Sequence, residues 1–155
     1  MQNRVVELLT RAYPSARVVD RRANPAHGYR AVHVIVQESG HYIEVQVRTH
    51  LQNGWAQLSE KYSDLYDQRI KYGGGPRPFL EILIRLSNSG KGLEDLEVSL
   101  DDFRRTEINT LFRKKRSGGM MVSERARLNA YQQLLLEKRQ AKAAMLQLFK
   151  DQAKP

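Results

Sequence analysis

The length, composition and charge of the chain exclude several classes of protein. With 155 residues, of which 41% are hydrophobic and 28% charged, the chain is long enough for one modest folded domain with an extension. The absence of cysteine excludes a disulfide framework, a thiolate zinc site and a cysteine nucleophile, while the net charge of +9 favours anionic partners such as nucleotides or RNA.

The first predicted elements are a short helix and a short strand. Apolar residues recur at helical spacing before Pro14, which cannot continue a helix, at Val5, Val6, Leu8, Leu9 and Ala12. Val18-Val19 indicates a short strand. Residues 20–28 contain Asn24, Pro25 and Gly28 and are therefore predicted to be a loop.

Two alternating segments, residues 29–37 and 41–49, next predict a β-hairpin with Ser39-Gly40 at its turn. Their alternating apolar positions are Val32, Val34 and Val36 in the first segment and Ile43, Val45 and Val47 in the second. We expect these side chains to point towards a core that is covered by helices.

The same alternation places Glu44, Gln46 and Arg48 together on the opposite face of the second strand. A row of polar side chains on one strand is typical of plain solvated surface. It is also the arrangement that would line a binding site. Both interpretations stay open until the neighbouring strand is considered.

Helical spacing dominates the rest of the chain, beginning with residues 51–66 and resuming from Phe79. The loop between them, residues 71–78, contains three adjacent glycines but no GxxxxGK[ST] pattern, so it is not a nucleotide-binding P-loop. Residues 93–112 are predicted to be helical with less regular patterning. Trp55, in the first of these helices, is most simply a core residue.

The last third of the chain is basic, with thirteen Lys or Arg against six Asp or Glu from Asp101 onward. It ends in a long predicted helix that begins near Ser123. Because Glu137 to Lys142 interrupt its apolar pattern, this end is predicted to be either a partner-binding helix or a partly disordered tail.

Together these elements predict an α+β fold. We expect a small mixed sheet of about three strands, including the hairpin, packed by helices and followed by a helical C-terminal extension. The expected division is a domain at residues 1–90 and a basic extension at residues 91–155.

Two linked blocks in the hairpin are similar to the synthetase domain of the RelA/SpoT family. The first is Gly28-Tyr29-Arg30-Ala31-Val32-His33, and the second is Ile43-Glu44-Val45-Gln46-Val47-Arg48-Thr49, followed by Trp55-Ala56. The resemblance covers Arg4 to about Pro78. It implies transfer of pyrophosphate from ATP to the 3′-hydroxyl of GDP or GTP with Mg²⁺, a transferase (pyrophosphokinase) reaction that makes the alarmone of the stringent response, guanosine tetra- or pentaphosphate.

The resemblance also implies roles for particular side chains. The ring of Tyr29 is suited to stacking on guanine, a contact worth about 1–3 kcal/mol for a base on an aromatic ring. His33, four residues later on the same strand face, would contact the acceptor nucleotide. Glu44 is the predicted catalytic residue and Mg²⁺ ligand, because a carboxylate suits both a hard cation and a hydroxyl proton.

The remaining predicted substrate-binding residues are Gln46, Arg48 and Arg30. Gln46 and Arg48 would orient ribose and phosphate, and the planar guanidinium of an arginine matches phosphate oxygens. Arg30, together with Arg21 and Arg22, flanks the loop and would neutralise acceptor phosphates. A purely solubilising role remains the alternative for these loop arginines.

The sequence departs from the family in the donor half. The basic helix and the Asp-x-x-Gly-x-Arg strand that grip ATP have no counterpart near Arg4, and Asp20 lacks the Gly-x-Arg context. We therefore predict that this chain lacks its ATP-binding half and is doubtful as a catalyst by itself. His27 and Ala31 stand where asparagine and serine are frequent, which leaves the choice between acceptors open.

Two alternative functions are kept. One is a non-catalytic module that binds guanine nucleotide or regulates a complex. The other is a toxin-like relative that acts on the 3′ end of transfer RNA, drawn by the basic last third. Candidate partners are accordingly GDP or GTP, ATP where the donor half is supplied, RNA, and further copies of the chain.

A cytoplasmic location without a membrane partner is predicted from the apolar runs. None approaches the length that spans a bilayer, and Met1 to Arg4 do not lead into a signal-type hydrophobic segment.

Overall fold

The computed structural model describes residues 2–152, which form two compact units. Of these residues, 2–88 and 148–152 belong to the first unit and 89–147 to the second. The elements in chain order are α1 (Gln2–Ala12), β1 (Arg17–Asp20), β2 (Val32–Glu38), β3 (His41–Val47), α2 (His50–Leu65), a 3₁₀ turn (Ile70–Tyr72), α3 (Arg77–Phe103), a π-helical segment (Arg104–Ile108), α4 (Asn109–Ser117) and α5 (Val122–Gln152).

The first unit is built on a three-stranded sheet in the order β1-β2-β3. Both pairings are antiparallel, so the α+β class and the hairpin are confirmed, while the sheet is antiparallel where a mixed one was predicted. The hairpin turn is Ser39-Gly40, whose φ angles of +50° and +80° are those of the two-residue turns that suit twisted strands.

One face of the sheet forms a core of the first unit, as the alternation predicts for its apolar positions other than Ile43, which is 48% exposed near the hairpin turn. The buried residues on this face are Val32, Val34, Val36 and Val47. Helix α1 covers them with Val6 and Leu9, helped by Tyr13 just beyond its end. The opposite face is therefore left to the polar residues of the same strands.

Helix α2 begins at a capping box. The backbone N–H of Gln52 donates a hydrogen bond to the Thr49 hydroxyl at 3.2 Å. In return, the backbone N–H of Thr49 donates to Gln52 Oε1 at 3.2 Å. At Gly54 the helix contacts the ring of Phe149, and a Cβ at Gly54 would lie 2.7 Å from that ring. Helix α2 thus packs by one side on the last turn of α5 within the first unit.

The glycine-rich loop has a packing explanation. A Cβ at Gly73 would lie 2.0 Å from the His27 ring, and one at Gly74 would lie 2.9 Å from the Cβ of Arg69. Gly73 and Gly75 also have positive φ angles of +80° and +84°. The glycines let this loop lie against the segment that precedes Tyr29.

The second unit is helical and has its own core of Leu100, Ile108, Leu111, Leu128 and Tyr131. Helix α5 continues through Glu137 to Lys142, so the alternative of a partly disordered tail is wrong for residues 122–152. Lys138 and Lys142 lie 3.1 and 3.4 Å from the carboxylate of Glu97, which accounts for the charged interruption in the apolar pattern.

None of the helices within residues 2–152 combines the length and the apolar composition that crossing a bilayer requires.

Candidate functional site

The register of the hairpin brings side chains of two strands together on the open face of the sheet. His33 of β2 lies opposite Gln46 of β3, and Ile35 lies opposite Glu44. Side chains of directly opposed residues share a face, and so do residues two apart on one strand. His33, Glu44 and Gln46 therefore project from the face opposite to the buried valines.

Tyr29 reaches the same place from a tight turn. Its amide donates to the Ala26 carbonyl at 2.8 Å, and the residues between them, His27 and Gly28, have φ angles of +54° and +92°. Two successive positive φ angles are typical of a type I′ turn, which favours Asn-Gly. The preference of such turns for Asn-Gly gives a backbone reason for the frequency of asparagine at the position of His27.

Five side chains, Tyr29, His33, Glu44, Gln46 and Arg48, form one hydrogen-bonded group, here called the polar cluster. The distances are 2.9 Å from the Tyr29 hydroxyl to His33 Nε2, 2.6 Å from His33 Nδ1 to Glu44 Oε1, and 2.9 Å from Gln46 Nε2 to Glu44 Oε1. Arg48 donates to the Tyr29 hydroxyl at 3.1 Å and also to Gln46 Oε1.

The order of donors in the cluster follows from the carboxylate. Ionised Glu44 can only accept, so His33 donates to it from Nδ1. In a neutral imidazole Nε2 is then an acceptor for the hydrogen bond of the Tyr29 hydroxyl, which also lies 3.3 Å from Gln46 Oε1. Tyr29, His33 and Glu44 are thus joined in a phenol–imidazole–carboxylate chain that ends on Glu44, whose side chain is 44% exposed.

Arg48 also contacts the ring of Tyr29. Its guanidinium carbon lies 5.3 Å from the centroid of the Tyr29 ring, within the range of a cation–π contact. Its Nε is buried and is the one buried side-chain polar atom of residues 2–152 without a hydrogen-bond partner. A buried donor without an acceptor costs free energy. The Nε–H of Arg48 is therefore a donor that could still form a hydrogen bond.

Residues 3–70 match the family model described as a region found in RelA / SpoT proteins. We call residues 3–70 the RelA/SpoT region after this match, which covers less than half of the chain. The resemblance predicted from the two hairpin blocks is thereby confirmed, and the matched residues contain the whole polar cluster.

Proteins similar to a part of this chain occur in mycobacteria. Over 57 residues the chain is 42% identical to the uncharacterized protein Rv1366 of Mycobacterium tuberculosis and, equally, to the uncharacterized protein Mb1401 of Mycobacterium bovis. The match covers 37% of this chain and 21% of each relative, so it spans about a fifth of their length. No solved structure matches the chain significantly.

Two of the loop arginines, Arg22 and Arg30, have polar partners within residues 20–30. Arg30 is only 7% exposed, and its Nε lies 3.4 Å from the Arg22 carbonyl. Arg22 forms a bidentate pair with Asp20, and the hydrogen bond from Arg22 holds the pKa of the Asp20 carboxyl below its usual value. Much of the charge of Arg22 is therefore already compensated within the protein.

Sequence reasoning missed the contacts by which Trp55 and Ser87 support Tyr29 and its turn. The ring of Trp55 lies 6.1 Å from that of Tyr29, and its indole N–H donates to the Leu83 carbonyl at 2.6 Å. The Ser87 hydroxyl donates to the Gly28 carbonyl at 2.6 Å. Trp55 follows the hairpin blocks closely and was recognised as a core residue, whereas Ser87 lies outside the RelA/SpoT region and carries no sequence signal.

Glu44 is the carboxylate of the polar cluster and the predicted Mg²⁺ ligand. Among residues 2–152 no group of three or more His, Cys, Asp or Glu side chains is arranged to hold one. Mg²⁺ at nucleotide sites is commonly held by one or two carboxylates together with substrate phosphates. The accessible Glu44 of the RelA/SpoT region fits a site of that kind, in which phosphate oxygens complete the coordination.

Proposed function

We propose that this chain acts in the synthesis of guanosine tetra- or pentaphosphate, with the polar cluster as the site of the acceptor nucleotide, GDP or GTP. The observation that carries the proposal is the convergence of Tyr29, His33, Glu44, Gln46 and Arg48 on one open sheet face within a RelA/SpoT region. A solvated surface does not require an aromatic ring, an imidazole and a carboxylate to be linked in this way.

The acceptor base would be held by the ring of Tyr29. Stacking of a base on an aromatic ring contributes about 1–3 kcal/mol. Arg48 now lies over that ring, so the base either displaces the guanidinium or stacks beside it. A displaced Arg48 would turn its donors, including the unused Nε–H, towards the phosphates of the nucleotide. Its planar fork suits phosphate oxygens better than a point charge would.

The ribose would lie across His33, Gln46 and Glu44. In the proposed reaction the 3′-oxygen bonds to the β-phosphorus of ATP and AMP leaves. Glu44 takes the proton of the 3′-hydroxyl, while His33 and Gln46 hold the carboxylate through its Oε1. When bound, Mg²⁺ would neutralise charge on the transferred phosphates, with Glu44 as its protein ligand. Arg30, buried behind the loop, would contribute through its charge.

The test measures binding and turnover in the same preparation. GDP, GTP, CDP and UDP are titrated by calorimetry, and product formation from ATP with GDP or GTP is followed by anion-exchange chromatography with and without Mg²⁺. Preferential guanine-nucleotide binding with formation of a 3′-pyrophosphorylated product supports the proposal. Binding without product favours a non-catalytic nucleotide-binding module. Equal affinity for the pyrimidine nucleotides, or no binding, overturns the proposal.

A further inference from the structure

We propose that Ser87 of α3 is a positioning residue for the acceptor nucleotide, acting through the Gly28 carbonyl to hold the turn that presents Tyr29. This inference rests on the proposed function, because it assigns to Tyr29 the binding of the base. Ser87 lies outside the matched residues 3–70. The role comes from the packing of α3 against the turn.

The contact between Ser87 and the turn joins a buried serine to a partly buried peptide. Ser87 is 6% exposed, and its hydroxyl lies 2.6 Å from the Gly28 carbonyl oxygen. One helical turn earlier, the Leu83 carbonyl accepts the indole N–H of Trp55 at 2.6 Å. A single turn of α3 therefore holds both the peptide that precedes Tyr29 and the tryptophan whose ring lies beside it.

The turn needs support because its first central residue has a β-carbon at a positive φ. His27 has a φ of +54°, in the left-handed region that residues with a β-carbon adopt uncommonly and at a cost in free energy. Gly28, at +92°, is required there both by conformation and by space, since a Cβ would lie 3.1 Å from Trp55 and 3.4 Å from Ser87. A hydrogen bond from outside the turn offsets part of this cost.

The hydrogen bond acts directly on the peptide that carries Tyr29. The Gly28 carbonyl and the Tyr29 amide belong to one planar peptide unit, and that amide closes the turn by donating to the Ala26 carbonyl. Fixing this plane fixes the direction in which the Tyr29 side chain leaves the backbone. The Tyr29 hydroxyl can then meet His33 Nε2 at 2.9 Å, with the ring placed for a base.

The first experiment replaces Ser87 by alanine in the full chain. The Gly28 carbonyl then loses its buried donor, and we expect the dissociation constant for GDP to rise about threefold to tenfold. The Tyr29 amide should exchange its hydrogen faster, because the turn opens more often. Ser99→Ala is the matched control, since Ser99 is an exposed serine of the same helix that bonds to the Asp95 carbonyl.

A double-mutant cycle separates this role from a general loss of stability. GDP affinity is measured for Ser87→Ala, Tyr29→Ala and the double variant, with the fluorescence of Trp55, the single tryptophan, as a second readout. If Ser87 acts through Tyr29, the serine substitution has no further effect once the ring is absent. Additive effects in the cycle, or unchanged GDP affinity in Ser87→Ala, overturn the inference while leaving the proposed function intact. Unchanged affinity in Tyr29→Ala overturns both.

Discussion

The two compact units use their charged side chains differently. In the second unit the carboxylates pair directly with cations. Glu97 of α3 pairs with Lys138 and Lys142 of α5, and Asp101 pairs with Arg105 one helical turn later. On the open sheet face of the first unit, Glu44 instead meets a histidine and an amide that are themselves linked to a tyrosine and an arginine.

The two units differ in the partners of a representative carboxylate, Glu97 in the second unit and Glu44 in the first. Burial acts to raise the pKa of Glu97, but the hydrogen bonds and charges of Lys138 and Lys142 outweigh it and leave that pKa below its usual value. Such a carboxylate is neutralised by two cations and secures the packing of helices. Glu44 is held through Oε1 by an imidazole and an amide and has an accessible side chain, which is the arrangement expected of a group that meets a ligand.

The largest expected effect comes from Glu44→Gln. If Glu44 takes the proton of the 3′-hydroxyl, turnover of ATP with GDP falls by about 10²–10⁴-fold, the usual contribution of a general base. GDP affinity measured without Mg²⁺ should change little, because glutamine keeps an oxygen that can accept from His33. The measurement is chromatography of the product alongside calorimetry of GDP.

Glu97→Gln is the control for that substitution. It removes a carboxylate that also has two partners, but in the second unit. It should leave turnover unchanged. A comparable loss of turnover in both variants would contradict the distinction drawn between the two glutamates.

Leu128→Ala tests the second unit as a separate core. Leu128 is 1% exposed, and truncation of a buried leucine typically costs about 2–5 kcal/mol of unfolding free energy. Urea unfolding followed by circular dichroism measures the loss. Leu134, which is exposed on the same helix, is the control, and its alanine variant should stay within about 0.5 kcal/mol of the parent. Equal losses would mean that the apolar stripe of α5 is assigned wrongly.

Tyr29→Ala should weaken GDP binding by an amount that corresponds to the loss of base stacking, about 1–3 kcal/mol. The matched control is Tyr42→Ala, since Tyr42 lies on the same strand face as Glu44 but is 77% exposed. Calorimetry compares the two variants with the parent. A greater loss of GDP affinity from Tyr42→Ala than from Tyr29→Ala would contradict this assignment and place the base near Tyr42.

The smallest expected effect is a pH dependence at the loop after α2. Hydrogen bonds from Arg69 lower the pKa of Asp67 to about 2 from its usual 3.8. A group whose pKa is lower in the folded state stabilises the protein above its unfolded value and loses that contribution as pH falls. Asp67→Asn should therefore be less stable than the parent at neutral pH, with the difference vanishing as pH falls from about 4 to about 2.

Thermal unfolding at several pH values measures this difference. Arg69→Gln should remove part of the same pH-dependent increment, since it removes the guanidinium donors but keeps the Arg69 backbone N–H that donates to Asp67 Oδ1 at 2.9 Å. The double variant should lose no more than Asp67→Asn. An unchanged pH profile in Asp67→Asn would mean that the pair holds the loop without contributing to global stability.

The sequence by itself determined the parts of this protein that depend on local order. Period-two alternation determined which side chains of β2 and β3 share a face, and the two motif blocks by themselves indicated the RelA/SpoT region. The predictions about the donor half, the acceptor, Mg²⁺ and the location in the cell stay predictions.

Only the tertiary structure decided the contacts between residues far apart in the chain. The burial of Arg30, the hydrogen bond from Ser87 to Gly28 and the pairing of Lys138 with Glu97 join segments whose local patterns give no sign of one another. The physical reason is that periodicity records which face of an element is apolar, whereas a hydrogen bond depends on which element arrives beside that face. The support of Tyr29 by α3 belongs to this second kind.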